Sequence, residues 1–297
     1  MNHRRVNLGR AGHLLLLLCL LLAGCGSLTR TGPIDPALAA YVSPDAVALA
    51  GVRMEQLRTT PIYRKLAQQN RLRFDEFRTE SGFDPSRDIR EVLLASDGKS
   101  LLAIARGTFT GPPAGARDAG EYKGYQLFTR DAGDAIVFID RNIALAGPAQ
   151  DVRAAIDQAK GHSGGLPRDL MARVRALPAA AQIWAVVAEW KGATPDQLRQ
   201  MGNLGNVDRI LRSVDGASLT VDLRTGVHAA VTGDCRTEDG ARNLADSLRG
   251  LTALGRMSMQ RNPDLEQALS AIQVKQDGRV VQLNADIPED LADRLLR

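Results

Sequence analysis

The chain has 297 residues, of which 24% are charged and only 4% aromatic. Its 38 basic residues exceed its 34 acidic ones by four, too small and too dispersed an excess for the concentrated basic surface that nucleic acid requires. Three cysteines and four histidines, none at paired ligand spacing, offer a metal little to bind, and no cofactor motif stands out.

The chain opens with MNHRRVNLGR, which carries Arg4, Arg5 and Arg10 and no acid. An apolar run over residues 14–23 follows and ends in Leu22-Ala23-Gly24-Cys25. A basic segment, a short apolar core and small residues at its end make a secretory signal. The apolar run has about half the roughly 20 residues that a spanning helix needs, so it is too short for a permanent anchor.

The tetrapeptide resembles a bacterial lipobox, at which a lipoprotein signal is cut before a lipid-modified cysteine. The resemblance implies cleavage between Gly24 and Cys25 and palmitate-type acylation of the Cys25 thiol, the nucleophile that accepts the diacylglyceryl unit. With Gly26 rather than an acid next in line, it also implies export to the outer membrane, facing the periplasm. Acyl chains contribute about 0.8 kcal/mol per buried methylene, and several chains anchor stably without a membrane-spanning helix. Removal of residues 1–24 takes three basic residues with it and leaves 35 basic against 34 acidic over 273 residues. Cys19 departs and Cys25 is acylated, so Cys235 has no disulfide partner.

Residues 25–39, with GSLTRTGPIDP after the cysteine, form a tether; those eleven residues reach at most about 35–40 Å. The body is expected from residue 40. Helix starts are written as a capping residue followed by proline, clearly at Thr60-Pro61, Thr194-Pro195 and Asn262-Pro263 and more loosely at Gly147-Pro148 and Ile287-Pro288. Val152, Ala155, Ile156 and Ala159 share one helix face; so do Ala241, Leu244, Ala245, Leu248 and Leu251 behind Thr237. Arg64, Lys65, Arg71, Arg73 and Arg78 are interleaved with Asp75, Glu76 and Glu80, the pattern of a solvated helix face.

Strands come as hairpins. EVLLAS and KSLLAIAR are joined by Asp97-Gly98, and IQVKQ and RVVQLNADI by Asp277-Gly278, the strongest short hairpin signal. The second pair alternates, with Ile272, Val274, Val281, Leu283, Ala285 and Ile287 inward and Gln273, Lys275, Gln282 and Asn284 outward. AIVFID/IALAG and SLTVDL/VHAAVTG form two more hairpins, and residues 121–130 one further strand. The fold class is α+β, with mostly antiparallel sheet built from hairpins and packed with helices. Two similar halves are expected, residues 40–160 and 168–297, joined by a linker at 161–167. The segment GFDPSRDI, residues 82–89, resembles a recurrent turn of uncharacterised bacterial envelope lipoproteins, Gly-x-Asp-Pro-x-x-Asp-Ile, that feeds a buried strand. It implies a class of fold and no activity.

Chemistry-bearing motifs are weak. GHSGG, residues 161–165, matches the nucleophile elbow of hydrolases, but that elbow needs a strand before Ser163 and a helix after it. Here a helix pattern precedes it and Leu166-Pro167 follows, which suits a linker. Asp97-Gly98-Lys99-Ser100 lacks the upstream glycine of a phosphate loop and reads as a turn. Alternation puts Cys235 with Val227, Ala229 and Val231, and His228 on the opposite face. Trp184 and Trp190 share a strand face and read as core. No two carboxylates are marked as a catalytic pair.

The reading is of a non-enzymatic envelope lipoprotein, held to the membrane by Cys25, that binds or assembles with an envelope protein partner and has no catalytic, metal or cofactor residues. A carrier of lipophilic ligands is the alternative, which an unfilled apolar cavity would favour over a filled core. An unrecognised hydrolase is the third reading, which a cleft at Ser163 or among carboxylates of shifted pKa would favour.

Overall fold

The computed structural model describes residues 34–69, 71–72, 74–81, 83–130, 133–161, 165–188, 213–259 and 261–296, without the side chains of residues 76, 77, 80 and 81. The first elements are α1 (Pro36–Ala39), β1 (Ala48–Val52), α2 (Met54–Leu57), α3 (Pro61–Gln68) and α4 (Phe74–Ser81). Three hairpins follow: β2 (Ile89–Ser96) with β3 (Leu101–Gly107), β4 (Arg117–Tyr122) with β5 (Tyr125–Thr129), and β6 (Asp134–Phe138) with β7 (Ile143–Pro148). After α5 (Ala149–Gly161) and α6 (Arg168–Ala176) come β8 (Ile183–Val187), β9 (Val214–Asp222) and β10 (Gly226–Cys235). The chain closes with α7 (Glu238–Ser258), α8 (Pro263–Ser270), β11 (Ile272–Asp277), β12 (Val280–Pro288) and α9 (Glu289–Leu295).

Local chemistry explains most of these boundaries. At the β2–β3 turn Asp97 Oδ1 accepts from the amides of Lys99 and Ser100 at 2.8 and 2.9 Å, and Gly98 takes φ 89°. Thr60, Asn262 and Thr237 cap α3, α8 and α7 by accepting from the amides of Tyr63, Leu265 and Gly240, which satisfies otherwise unpaired donors. The helix expected from Thr194-Pro195 lies outside the described residues.

Two expectations are corrected. Residues 34–39, assigned to the tether, belong to the body: Asp35 caps α1 by accepting from Ala37 N–H, and Leu38 is fully buried. Residues 121–130 are not one strand but the turn and arms of a hairpin. Lys123 and Gly124, at φ 49° and 87°, reverse the chain between β4 and β5, the paired positive φ values that two-residue hairpins require.

Among the described residues all strand pairs are antiparallel and belong to one 12-stranded sheet, in the order β11-β12-β10-β9-β8-β1-β2-β3-β7-β6-β5-β4. Reading outward from the central β1–β8 pair, β1-β2-β3-β7-β6 on one side repeats β8-β9-β10-β12-β11 on the other. The two halves anticipated in the sequence therefore meet edge to edge, Ala50 opposite Ala185. The main core lies on one face, where Leu49, Leu93, Ile104, Leu145 and Trp184 pack under α1, α5 and α6. On the reverse face a smaller cluster gathers Met54, Leu57, Tyr63 and Ile89 under α2 and α3, and α7 covers Val214, Cys235 and Val281.

Candidate ligand-binding cavity

The reverse face of the sheet carries small side chains where β2, β3, β7 and β6 lie side by side. Val92 stands opposite Ala105, Ala105 opposite Ala144, and Ala144 opposite Phe138. One pleat along, Ala103 faces Ala146 and Ala146 faces Ile136. Four alanines thus form the floor of a cavity of about 590 Å³. Strand alternation aligns them on one face, and their single methyl groups leave the space above empty.

Aromatic side chains build the walls. The chain has six phenylalanines; Phe74, Phe83, Phe109 and Phe138 line the cavity. Phe83 meets Phe109 edge-on at 5.5 Å and Phe138 at 5.8 Å between centroids, Phe109 lies 5.4 Å from Phe138, and Phe128 backs Phe138 at 6.2 Å. These spacings are those of favourable tilted and edge-to-face ring pairs.

The 82–89 segment explains how Phe83 reaches that position. Asp84 Oδ1 accepts from Ser86 N–H at 2.8 Å and from the Ser86 hydroxyl at 2.5 Å, while Asp88 Oδ2 accepts from Asp84 N–H at 2.8 Å. The Ser86 hydroxyl bond is the main reason the Asp84 carboxyl lies below its ordinary range. The Asp88 carbonyl then accepts from Thr108 N–H at 2.7 Å, which pins the start of the loop carrying Phe109. Gly107 permits that approach, since a methyl group there would lie 2.2 Å from the Asp88 carbonyl oxygen.

A closed void of this size would cost about 14 kcal/mol at ~24 cal/mol per Å³, comparable with the whole stability of a domain. The cavity instead opens to solvent on one side. Apart from Arg130, every lining side chain is apolar, so water inside has few partners and an apolar occupant gains on entry. Arg130 is exposed and stands on the solvent-facing rim. Phe109 and Phe138 also border an adjoining, more polar cleft with Thr108, Thr110, Asp140 and Arg141.

The residues singled out in the sequence do not gather here. Gly24, Cys25, His162, Ser163 and Trp190 lie outside the described residues. His228 is on the exposed face of β10, with Nδ1 3.0 Å from Asp286 Oδ1 and Nε2 3.1 Å from the Thr225 hydroxyl. Cys235 is buried on the other face, where desolvation pushes its thiol pKa up. Trp184 is fully buried in the main core. Gln273 stands opposite Asn284 and Lys275 opposite Gln282, on the polar face of the β11–β12 hairpin. Among the described residues no group of three metal-ligating side chains forms. A cleft of about 260 Å³ beside the β2–β3 turn is lined by Asp45, Asp97 and Asp151. There the Ser100 and Lys99 amides hold Asp97 below its ordinary range.

No protein-family model matches the chain, and no curated protein matches it significantly. Among solved structures, crystal form III of TP0453 superposes with a TM-score of 0.51 at 7% identity, covering 89% of this chain and 98% of that one. Crystal forms IV and I of TP0453 each give 0.48, at 7% and 9% identity, over 89% of this chain and 97% and 95% of theirs. The likeness is one of fold.

Proposed function

We propose that the protein is a lipid-anchored, non-enzymatic binding protein of the bacterial cell envelope whose body takes up an apolar ligand. The single observation that carries this reading is the open cavity of about 590 Å³, floored by Ala103, Ala105, Ala144 and Ala146 and walled by phenylalanines. Its volume is within the roughly 300–1,000 Å³ of small-molecule sites, and its lining has their usual apolar character. Anchoring rests on the lipobox-like Leu22-Ala23-Gly24-Cys25, which supports acylation of Cys25 and an outer-membrane position facing the periplasm.

Purification of the full chain in phosphatidylcholine nanodiscs, followed by solvent extraction and mass spectrometry, tests the binding reading. The wild type should carry an apolar molecule in excess over empty nanodiscs, and the Ala105→Phe, Ala144→Phe double variant should lose it while folding normally. Equal amounts in the two proteins would sink the proposal. Anchoring is tested separately: Cys25→Ala should abolish labelling by an alkynyl palmitate and leave uncleaved or mislocalised precursor.

A second reading, docking of an envelope protein, is supported by the last turns of α7. Leu251, Leu254 and Met257 are 56, 62 and 67% exposed there, and such apolar clusters mark contact surfaces. A photo-crosslinking residue at 254 should trap a defined protein in cells; an absence of adducts removes this reading.

A further inference from the structure

The cavity lining names a class of ligand as well as a polarity. Among its described lining residues sixteen are apolar and one is charged, Arg130, just after β5. Its carbonyl accepts from the Arg117 guanidinium at 3.2 Å, which fixes the backbone, and among the described residues its own guanidinium makes no ion pair. Among the described lining residues the rim thus presents one cation, Arg130, with a forked set of donors, the geometry that matches a carboxylate. The floor runs from that rim beneath Phe138 and Phe109, where straight methylene chains can lie on methyl groups and ring faces. A neutral hydrocarbon would leave the guanidinium unused, a cationic amphiphile would be repelled by it, and a phosphate dianion would want a second cation, whereas Arg117, engaged by the Arg130 carbonyl, does not line the cavity.

We propose that the cavity binds a long-chain carboxylate, its acyl chain over the alanine floor and its head group at Arg130. The inference rests on the apolar-ligand reading above and adds to it the charge and shape of the occupant.

The test uses the full chain in phosphatidylcholine nanodiscs with three diazirine-bearing sixteen-carbon probes: a fatty acid, the matching alcohol and the matching alkyl phosphate. The fatty acid should crosslink to the peptide carrying Phe138 and Ala144–Ala146 more strongly than either other probe. Arg130→Gln should lower fatty-acid labelling about fivefold, in keeping with one charge-assisted contact at an exposed site, and leave alcohol labelling unchanged. Arg130→Lys should restore most of the loss, and added salt should mimic it in the wild type. Equal fatty-acid labelling of wild type and Arg130→Gln would overturn the inference while sparing the apolar-ligand reading. Preferred labelling by the alkyl phosphate would overturn it too. If neither the fatty acid nor the alcohol labels the cavity peptides, both readings fall together.

Discussion

The indole of Trp184 occupies the space that any side chain at Gly51 would need. A methyl group on Gly51 would sit 2.3 Å from Cε2 of Trp184 and 2.4 Å from its Nε1. The two residues stand opposite each other in the central β1–β8 pair, and Trp184 is completely buried. The junction of the two halves is thus closed by one large ring lying over a residue with no side chain. Gly51→Ala should destabilise the protein by about 3 kcal/mol, the upper end of ordinary overpacking costs. Trp184→Leu should be costly alone, yet the Gly51→Ala, Trp184→Leu pair should cost less than the sum, because the clash is gone. Urea denaturation of the four proteins measures this, and strict additivity would show that the ring moves aside freely.

Acid should weaken the same region. Asp222 ends β9 and accepts from the Arg224 guanidinium at 2.6 to 3.0 Å and from Gln182 Nε2 at 3.0 Å. Arg224 is the main cause that lowers its carboxyl from 3.8 to about 2. A folded-state pKa below the unfolded value means that the stabilisation is complete above about pH 4 and is lost as pH falls towards 2. Asp222→Asn should therefore be less stable than wild type at neutral pH and show a flatter loss between pH 4 and 2. Denaturant midpoints across that range give the comparison.

Thr60 holds together the helices beside the cavity. It is 1% exposed; its hydroxyl donates to the Leu57 carbonyl at 2.7 Å and accepts from Tyr63 N–H at 3.3 Å. Thr60→Ala leaves the Tyr63 amide without its cap, while the Leu57 carbonyl keeps the Thr60 N–H at 3.0 Å, and should cost about 1 kcal/mol, whereas Thr60→Ser should cost well under half of that. Thermal unfolding distinguishes the two variants.

Cys235 should be chemically silent in the native protein. Its side chain is 2% exposed and its thiol is pushed above the ordinary value by burial, and the thiolate is the reactive form. Peptide mapping after treatment with an aromatic disulfide should show negligible modification of Cys235 at pH 8 without denaturant and complete modification in urea. Fast native labelling would mean that α7 lifts readily from the sheet.

Turns and helix starts are legible in the sequence where a side chain holds them by hydrogen bonds to its near neighbours. Asp97-Gly98 and Asp277-Gly278 place their hairpins, and Thr60, Thr237 and Asn262 begin their helices, because each acts through hydrogen bonds to residues within three positions. Period-two alternation also separates half-buried His228 from buried Cys235. The Lys123-Gly124 turn is not legible because lysine gives no sign of its positive φ, nor is α1, whose burial comes from Leu38 packing into a distant core.

By itself the amino-acid sequence determined the class of fold, the hairpins and their faces, the helix starts and the lipobox-like ending at Cys25. Those features depend on contacts that span only a few residues, or on a motif. Only the tertiary structure decided that β1 and β8 join the halves into one sheet and that Gly51 makes way for Trp184. It alone brought Phe74, Phe83, Phe109 and Phe138 around four alanines from β3 and β7. Alternation says that Ala103, Ala105, Ala144 and Ala146 can share a face, but not whether a larger side chain will fill the space above them. Strand order and cavity volume are set by how all the elements bury their apolar surface together, over sequence separations that no local pattern encodes.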